Sequence, residues 1–217
     1  SSIQRCLDSL LAQSERSIQV VCVNDGSTDD SLTVLRQIAQ TDDRVLVIDQ
    51  ENAGVSCARN VGIDAAEGEV VFFVDADDYI DAQTVERVLQ AMGSSDAEVA
   101  VFGGVCEPAD AAPMRVQQLM SPNAGTFGTR DPQLLFHANA QPYACRAAFS
   151  RTLLNREGIR FAPSLALGED VVFQFAAYAL ANKTVVMPDK FYHYVMESDS
   201  ATHEFNSDEA RAKKLDA

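Results

Sequence analysis

Three aspartates follow a short apolar stretch near the middle of the chain. Residues 70–74 are all apolar, and Asp75, Asp77 and Asp78 come directly after them. A continuous apolar run of this length predicts a strand that is buried on both faces. Ligands of open α/β sheets bind beyond the carboxyl ends of the strands, so these aspartates lie where a site is expected. If the backbone stays extended, Asp75 and Asp77 point the same way, and two such oxygen ligands suit Mg2+ or Mn2+ shared with substrate phosphates.

The same residues also allow a purely structural interpretation. They form an acidic loop between a strand and a helix, and Asp78 or Asp81 then caps that helix. These residues alone do not decide between a cation site and such a loop.

Two further carboxylates occupy comparable positions. The apolar strand at 18–23 leads into Asn24-Asp25-Gly26, and Asp-Gly is a turn signal. Asp170 stands at the start of a predicted helix. A carboxylate on the first turn of a helix is held rigidly, and the helix dipole stabilises its anionic form.

Strand and helix patterns alternate around the first of these aspartates. Their order predicts a doubly wound α/β sheet. A further strand is expected before Ser1, because the first helix otherwise has no strand to return from; the sequence thus predicts a truncated chain. Strands are predicted at 18–23, 45–48, 70–74 and 97–102, and helices at 3–11, 32–38, 54–66 and 82–92.

The pattern is less regular after residue 102. Residues 103–128 contain three Pro and several Gly, and they predict a long loop or excursion. The later predicted elements are helices at 131–138, 147–156 and 171–180, short strands at 184–187 and 191–195, and a polar tail from Ser207 that is helical in composition.

Composition limits the class of protein. The 217 residues, of which 47% are hydrophobic, are enough for one sizeable core. The formal net charge of −15 argues against a nucleic-acid partner and against a polybasic membrane patch. No apolar run is long enough to span a bilayer, and no signal peptide is recognised, so we expect no transmembrane segment in this chain.

Cysteines and histidines give no sign of a metal site. The five cysteines have no paired spacing. Cys6, Cys22 and Cys57 fall in or beside apolar periodic segments, so we expect reduced core residues in a cytosolic protein. The histidines are expected at the surface or in packing; they are His137, His193 and His203.

Four stretches resemble, in order and spacing, the sequence signatures of family 2 glycosyltransferases. The resemblance runs from Ile3 to about Thr202, nearly the whole chain. The matching stretches are Val-Asn-Asp-Gly-Ser-Thr-Asp at 23–29, Asn-Ala-Gly-Val-Ser-Cys-Ala-Arg-Asn-Val-Gly at 52–62, Gly-Glu with the strand and Asp-Ala-Asp-Asp at 68–78, and Gly-Glu-Asp at 168–170.

The resemblance implies a role for each matching residue. Asp25 would accept a hydrogen bond from the nucleotide base, usually the imide of uracil. Asp77 would bind the Mg2+ or Mn2+ ion that bridges the donor diphosphate, with Asp75 beside it near the ribose and the metal. Asp170 would be the general base, and Arg59 would lie near the donor site. Each residue has a structural alternative: Asp25 could hold the turn, Asp170 could cap its helix, and Arg59 could pair with a surface acid.

The resemblance also implies a fold and a domain organisation. The expected GT-A fold is a Rossmann-like α/β architecture, with a mixed, mostly parallel sheet flanked by helices and its first strand missing. It would occupy residues 1–205, with a nucleotide-binding part at about 1–102 and an acceptor-side part at about 103–205. Residues 206–217 would be a polar helical tail or linker.

The expected activity is transfer of a sugar from a nucleotide-diphospho-sugar to an acceptor hydroxyl, with inversion. The nucleotide would be UDP, and the acceptor would be a saccharide or a lipid-linked saccharide. The resemblance associates this activity with bacterial cell-surface polysaccharide or glycolipid synthesis. The expected location is the cytoplasm, with peripheral association at the inner face of the membrane as an option.

Two alternative functions stay open. A non-catalytic nucleotide-binding or assembly domain of the same fold is favoured by the missing strand and by Val195, where the family often has an arginine that can meet the diphosphate. A two-carboxylate glycoside hydrolase explains neither the Asp-Gly-Ser turn nor the position of the aspartate cluster.

Overall fold

Helices and strands alternate in the first half of the chain as the sequence predicts. A computed structural model describes residues 2–109, 114–136, 138–140, 143–165 and 167–196. Only the two-residue strand β4 was not predicted in this half. The elements are α1 (Ser2–Leu11), β1 (Val20–Asp25), α2 (Ser31–Ala39), β2 (Val45–Gln50), α3 (Val55–Ala65), β3 (Val70–Phe72), β4 (Tyr79–Ile80) and α4 (Thr84–Ser95).

The second half departs from the prediction in three places. The predicted loop at 103–128 is partly regular, the predicted helix at 147–156 begins as a strand, and the two predicted short strands are one long strand. His137, His203 and the tail from Ser207 lie outside the described residues. The elements are β5 (Val99–Glu107), α5 (Met114–Leu119), β6 (Gly125–Gly128), α6 (Gln133–Phe136), β7 (Ala147–Ser150), α7 (Arg151–Arg156), α8 (Glu169–Leu180) and β8 (Lys183–Val195).

Strand pairing explains the error at β7. Ala147, Ala148 and Phe149 are buried, and β7 pairs with β3 on one side and with β5 on the other. Alanine has a high intrinsic helix propensity, but pairing with strands that are distant in sequence overrides this weak preference. Pairing with β8 likewise extends β5 beyond the predicted strand, because the two strands run in parallel as far as Glu107 and Val195.

The strands form two sheets. β1 and β2 pair in parallel, and the larger sheet has the order β3-β7-β5-β8-β4, with β6 also on β8. The two longest ladders, β1 with β2 and β5 with β8, are both parallel, and the shorter pairings are antiparallel. Helices α2, α3 and α4 pack on these strands. The predicted mixed α/β fold, with helices flanking a largely parallel arrangement, is confirmed.

An apolar cleft lies between the two sheets. It has a volume of about 680 Å3 and is lined by residues of β1, such as Val21 and Val23, and of β3 and its extension, such as Val70 and Val74. β1 and β3 do not pair with one another. The expected additional strand before α1 is not tested by these contacts and stays a prediction.

Four phenylalanines of the core pack against one another between β3, β7 and α8. The Phe73 ring is 5.2 Å from Phe161 and 5.6 Å from Phe173, both edge to face. Phe161 stacks on Phe173 of α8 with ring centroids 4.0 Å apart, and Phe149 of β7 meets Phe173 at 5.2 Å. Aromatic pairs in these geometries add stability beyond the area they bury. They fix the start of α8 against β3 and β7.

The cysteines are free thiols, as the sequence predicts. Cys6 is buried, whereas Cys22 and Cys57 are half-buried. In the part of the chain that the structure describes, no helix is both long enough and apolar enough to cross a membrane.

Candidate active site

Asp25 is the last residue of β1, and it holds the loop that leads into α3. Its Oδ1 accepts hydrogen bonds from the Gln50 side-chain amide (2.7 Å) and the Ala53 N–H (2.8 Å), and its Oδ2 accepts one from the Gly54 N–H (2.9 Å). Slight burial favours a higher pKa, but the bonds from Ala53, Gln50 and Gly54 outweigh it and lower the pKa of Asp25. A carboxylate oxygen can accept two hydrogen bonds, so Oδ2 keeps the capacity for one more donor.

The aspartates after β3 lie in a tight turn and not in an extended strand. The Asp78 N–H donates to the Asp75 carbonyl at 3.0 Å. The expectation that strand alternation makes Asp75 and Asp77 point the same way therefore does not apply. Helix α1 fixes this turn, because Arg5 donates to the Asp77 carbonyl at 2.6 Å and the Cys6 thiol donates to the Asp75 carbonyl at 3.5 Å.

Asp78 is a buried carboxylate, 1% exposed, that ties this turn to the end of β8. Its Oδ2 accepts a hydrogen bond from the Tyr192 hydroxyl (2.5 Å), and its Oδ1 accepts one from the Val195 N–H (2.7 Å). The Tyr192 oxygen also accepts a hydrogen bond from the Asp75 N–H at 3.3 Å. Burial raises the pKa of Asp78 to about 7, although the bonds from Tyr192 and Val195 act against it.

The alternative in which Asp78 or Asp81 caps the next helix is wrong, because α4 begins after Gln83 and has no side-chain cap.

His193 packs between two carboxylates where β4 pairs with β8. Its Nδ1 lies 2.9 Å from Glu107 Oε1, and its Nε2 lies 2.9 Å from Asp81 Oδ1. The imidazole stacks on the Tyr79 ring with centroids 4.2 Å apart. The prediction of a packing role for His193 is confirmed, and both of its ring nitrogens already face an acid.

One arginine connects the acidic motifs. Arg59, on α3, donates from Nη2 to Asp75 Oδ1 (3.0 Å) and from Nη1 to Asp170 Oδ1 (2.5 Å). The same Nη1 lies 3.5 Å from Glu169 Oε1. The Arg59 side chain is 14% exposed, so these charges interact with little screening by water. Arg59 therefore pairs with the predicted site residues themselves.

Asp170 is the second residue of α8. Gly168, with φ of 77°, is the N-cap residue, so the alternative in which Asp170 caps the helix is wrong. The Asp170 Oδ2 accepts a hydrogen bond from the Ala144 N–H at 3.2 Å. Burial raises the pKa of Asp170 above its ordinary value; the Arg59 charge and the Ala144 N–H oppose this rise, and the Glu169 and Asp75 charges add to it. A raised pKa makes a carboxylate a stronger base near neutral pH.

A cation site at these carboxylates would need substrate to complete it. Among the described residues, no group of three or more His, Cys, Asp or Glu side chains is placed to hold a metal ion. Mg2+ usually binds through one or two carboxylates together with water and substrate phosphates, and does not need an all-protein cage. Asp75 and Asp77, in one turn with half-buried side chains, match that smaller ligand set.

Three of the five predicted site residues thus meet: Arg59, Asp75 and Asp170. Asp77 shares the turn with Asp75, and Asp25 holds the loop in front of α3. Sequence reasoning treated Asp78 only as part of the acidic cluster or as a helix cap, and it gave Glu169 and Tyr192 no part in the site. Glu169 was visible as the neighbour of Asp170, but the contact of Tyr192 with the turn depends on strand pairing that no local pattern reveals.

Fold and site together define an α/β protein of the GT-A type. The chain belongs to glycosyl transferase family 2, whose family model matches residues 1–158. It is 30% identical over 203 residues to an uncharacterized glycosyltransferase, EpsJ, of Bacillus subtilis, a match that covers 92% of this chain and 59% of that protein. It is also 30% identical over 203 residues to a poly(ribitol-phosphate) beta-glucosyltransferase of Bacillus spizizenii, covering 91% of this chain and 30% of the relative.

A solved structure shows the same fold. The crystal structure of S. aureus TarS 1-349 in complex with UDP-GlcNAc aligns with a TM-score of 0.79 at 25% sequence identity. The alignment covers 93% of this chain and 56% of that one. The chain therefore spans less than two thirds of the length of these relatives.

Proposed function

We propose that this domain transfers a sugar from a UDP-sugar to an acceptor hydroxyl, with inversion at the anomeric carbon. The observation that carries the proposal is the Arg59 bridge, in which Asp75 of the turn after β3 and Asp170 of α8 contact one guanidinium. The reaction needs a carboxylate beside the donor diphosphate and a carboxylate base close to it. Membership of family 2 and the likeness to TarS, solved with UDP-GlcNAc, support this class of donor.

Asp170 acts as the general base. It takes the proton of the acceptor hydroxyl while the hydroxyl oxygen attacks the anomeric carbon from the side opposite the diphosphate. The bond to the diphosphate breaks in the same step, so the configuration inverts and no covalent enzyme intermediate forms. A positioned base contributes roughly 10²–10⁴-fold to such a reaction, and the raised pKa of Asp170 suits this task.

The donor is held by the two other acidic motifs. The free acceptor position on Asp25 Oδ2 receives the N3–H of uracil. Asp75 and Asp77 are the residues that would hold Mg2+ or Mn2+ beside the diphosphate. When bound, the cation neutralises charge on the leaving diphosphate.

The acceptor is a saccharide or a lipid-linked saccharide of a bacterial cell-surface polymer. The relative named as a poly(ribitol-phosphate) beta-glucosyltransferase supports this class of product. In this proposal the domain works in the cytoplasm, with residues up to about 102 on the donor side and later residues on the acceptor side.

The test is calorimetry of UDP binding to the full-length protein with and without Mn2+. We expect Mn2+-dependent binding by the wild type and its loss in Asp77→Asn. In Asp170→Asn, UDP binding should persist while sugar transfer falls by about 10²-fold or more. NMR of the product should show the inverted anomer. Absence of UDP binding by the wild type with Mn2+, or wild-type transfer by Asp170→Asn, would contradict the proposal.

The second candidate is a non-catalytic nucleotide-binding or assembly domain of the same fold. Val195 favours this candidate because it stands where the family often has an arginine that could meet the diphosphate. The Val195 N–H cannot replace that contact, because it already donates to Asp78. UDP binding without any turnover of a panel of UDP-sugars would support this candidate. Hydrolysis or transfer that EDTA abolishes would exclude it.

A further inference from the structure

Arg59 is a largely buried cation with more acidic partners than it can neutralise. It contacts Asp75 at 3.0 Å, Asp170 at 2.5 Å and Glu169 at 3.5 Å. Among the ion pairs formed by residues that the structure describes, these three acids pair with Arg59 and with no other base. An additional cation at this place is therefore electrostatically favourable for the acids and unfavourable for Arg59.

The guanidinium is supported from the α8 side. Its Cζ lies 5.2 Å from the centre of the Phe161 ring, in the geometry of a cation–π contact. Phe161 is held in turn by Asn60, the next residue on α3, through two backbone bonds: the Asn60 Nδ2 donates to the Phe161 carbonyl (2.9 Å), and the Phe161 N–H donates to Asn60 Oδ1 (2.8 Å). Phe161 also stacks on Phe173 of α8. These contacts keep Arg59 close to Asp170.

The contact with Asp75 is the more exposed of the two. The Asp75 side chain is 39% exposed and that of Asp170 is 22% exposed. Solvent exposure weakens an ion pair, so the Nη2 contact to Asp75 is easier to replace than the Nη1 contact to Asp170. A divalent cation at Asp75 would compete for the oxygen that Arg59 Nη2 now occupies.

The following inference rests on the proposed function. We propose that Arg59 is a positioning residue with two separable tasks. Its Nη1 holds the Asp170 carboxylate in place for the base step. Its Nη2 is an internal counter-ion for Asp75, which the divalent cation displaces on binding while the bond to Asp170 remains.

The experiment measures Mn2+ binding to the full-length protein at saturating UDP, from the loss of the electron paramagnetic resonance signal of free Mn2+ after correction for Mn2+ bound by UDP alone. In Arg59→Met the competing charge is absent, so the dissociation constant for Mn2+ should fall by about fivefold or more. Arg59→Lys should lie between Arg59→Met and the wild type. The matched control is Arg87→Met, which removes one arginine from an exposed pair with Asp189 and should leave Mn2+ binding unchanged.

Steady-state kinetics test the second task. In Arg59→Met, the Ala144 N–H is the one hydrogen-bond donor that Asp170 keeps among the described residues, so kcat should fall by about 10²-fold because the base is misplaced. The KM for the UDP-sugar should change far less than kcat. Arg59→Lys should recover part of kcat, because a charged group remains near Asp170.

Each outcome decides the inference. If Arg59→Met lowers the melting temperature but keeps wild-type Mn2+ affinity and kcat, Arg59 is a structural brace and the inference is wrong, while the proposed function stands. If the wild type binds neither Mn2+ nor UDP, the proposed function fails and the inference falls with it. If Arg59→Met does not fold, Arg59→Lys decides, and wild-type values for both Mn2+ affinity and kcat in that variant overturn the inference.

Discussion

At the scale of single residues, the surroundings of Asp25 and Asp170 shift the pKa values of the two carboxylates in opposite directions. Asp25 accepts three hydrogen bonds and has a lowered pKa, whereas burial raises the pKa of Asp170. A carboxylate with a low pKa stays an acceptor at all working pH values, and one with a raised pKa can take up a proton. In the proposed function, these environments suit Asp25 to recognition of the nucleotide base and Asp170 to proton transfer, although both are aspartates at the ends of elements.

Asp25→Asn tests recognition of the base. The carboxylate can only accept hydrogen bonds, so it suits the N3–H of uracil, whereas an asparagine amide can donate to the N3 atom of cytosine. We expect UDP affinity to fall about tenfold or more, since hydrogen bonds to charged groups are worth about 1.5–3 kcal/mol. Affinity for CDP, measured in the same calorimetric titration, should fall less or rise. An equal loss for both nucleotides would mean that Asp25 only holds the turn.

At the scale of elements, local pattern was enough for the first half of the chain and failed where pairing partners are distant. Helices such as α1 and α3 and strands such as β1 follow from periodicity alone. β7 was predicted as a helix because a sequence pattern reflects only local neighbours, among which its alanines favour a helix. Its burial comes instead from pairing with β3 and β5. The site shows the same division. The positions of Asp25, Asp75 and Asp170 at element ends were predictable, whereas the Arg59 bridge depends on how α3, α8 and the turn after β3 pack together.

The turn after β1 depends on a glycine. Gly26 has φ of 71°, and a Cβ there would lie 2.8 Å from the Asn52 backbone nitrogen, in the loop that Asp25 binds. Gly26→Ala should therefore lower the free energy of unfolding by about 1–3 kcal/mol, through left-handed strain and the clash. Urea denaturation followed by circular dichroism measures this change.

Gly93→Ala is the matched control for that substitution. Gly93 lies within α4, and apart from its chain neighbours and the adjacent helix backbone no described atom lies within 4 Å of a Cβ built there. Alanine should stabilise this helix by up to about 1 kcal/mol, because glycine is the weaker helix former. A Gly26→Ala protein as stable as the wild type would show that the contact between the turn and the loop is not close in solution.

At the scale of the whole molecule, one acid joins the strands of the large sheet to a helix on its surface. Glu98, just before β5, accepts bonds from Arg156 of α7 at 2.8 Å and from the Asn182 N–H, next to β8, at 2.8 Å. Its backbone bonds to Ser150 of β7 and to Lys183 of β8. In a chain with net charge −15, the other acids repel most carboxylates. The negative charge of Glu98 is instead stabilised by the donors that surround it.

Glu98→Gln should therefore destabilise the protein in a way that depends on pH. The hydrogen bond from Arg156 lowers the pKa of Glu98 below its ordinary 4.5, partial burial opposes the shift, and the Asn182 N–H adds to it. A lowered folded pKa means that the stabilising contribution is complete above the unfolded pKa and is lost as pH falls through the folded value. Urea unfolding at pH 7 should show a loss of about 1 kcal/mol, since Arg156 is partly screened by water, and the difference from wild type should shrink well below pH 4.5. Glu67→Gln, which removes an exposed carboxylate, should show neither effect. A Glu98→Gln deficit that is unchanged in acid would mean that the contribution of this residue is packing and not charge.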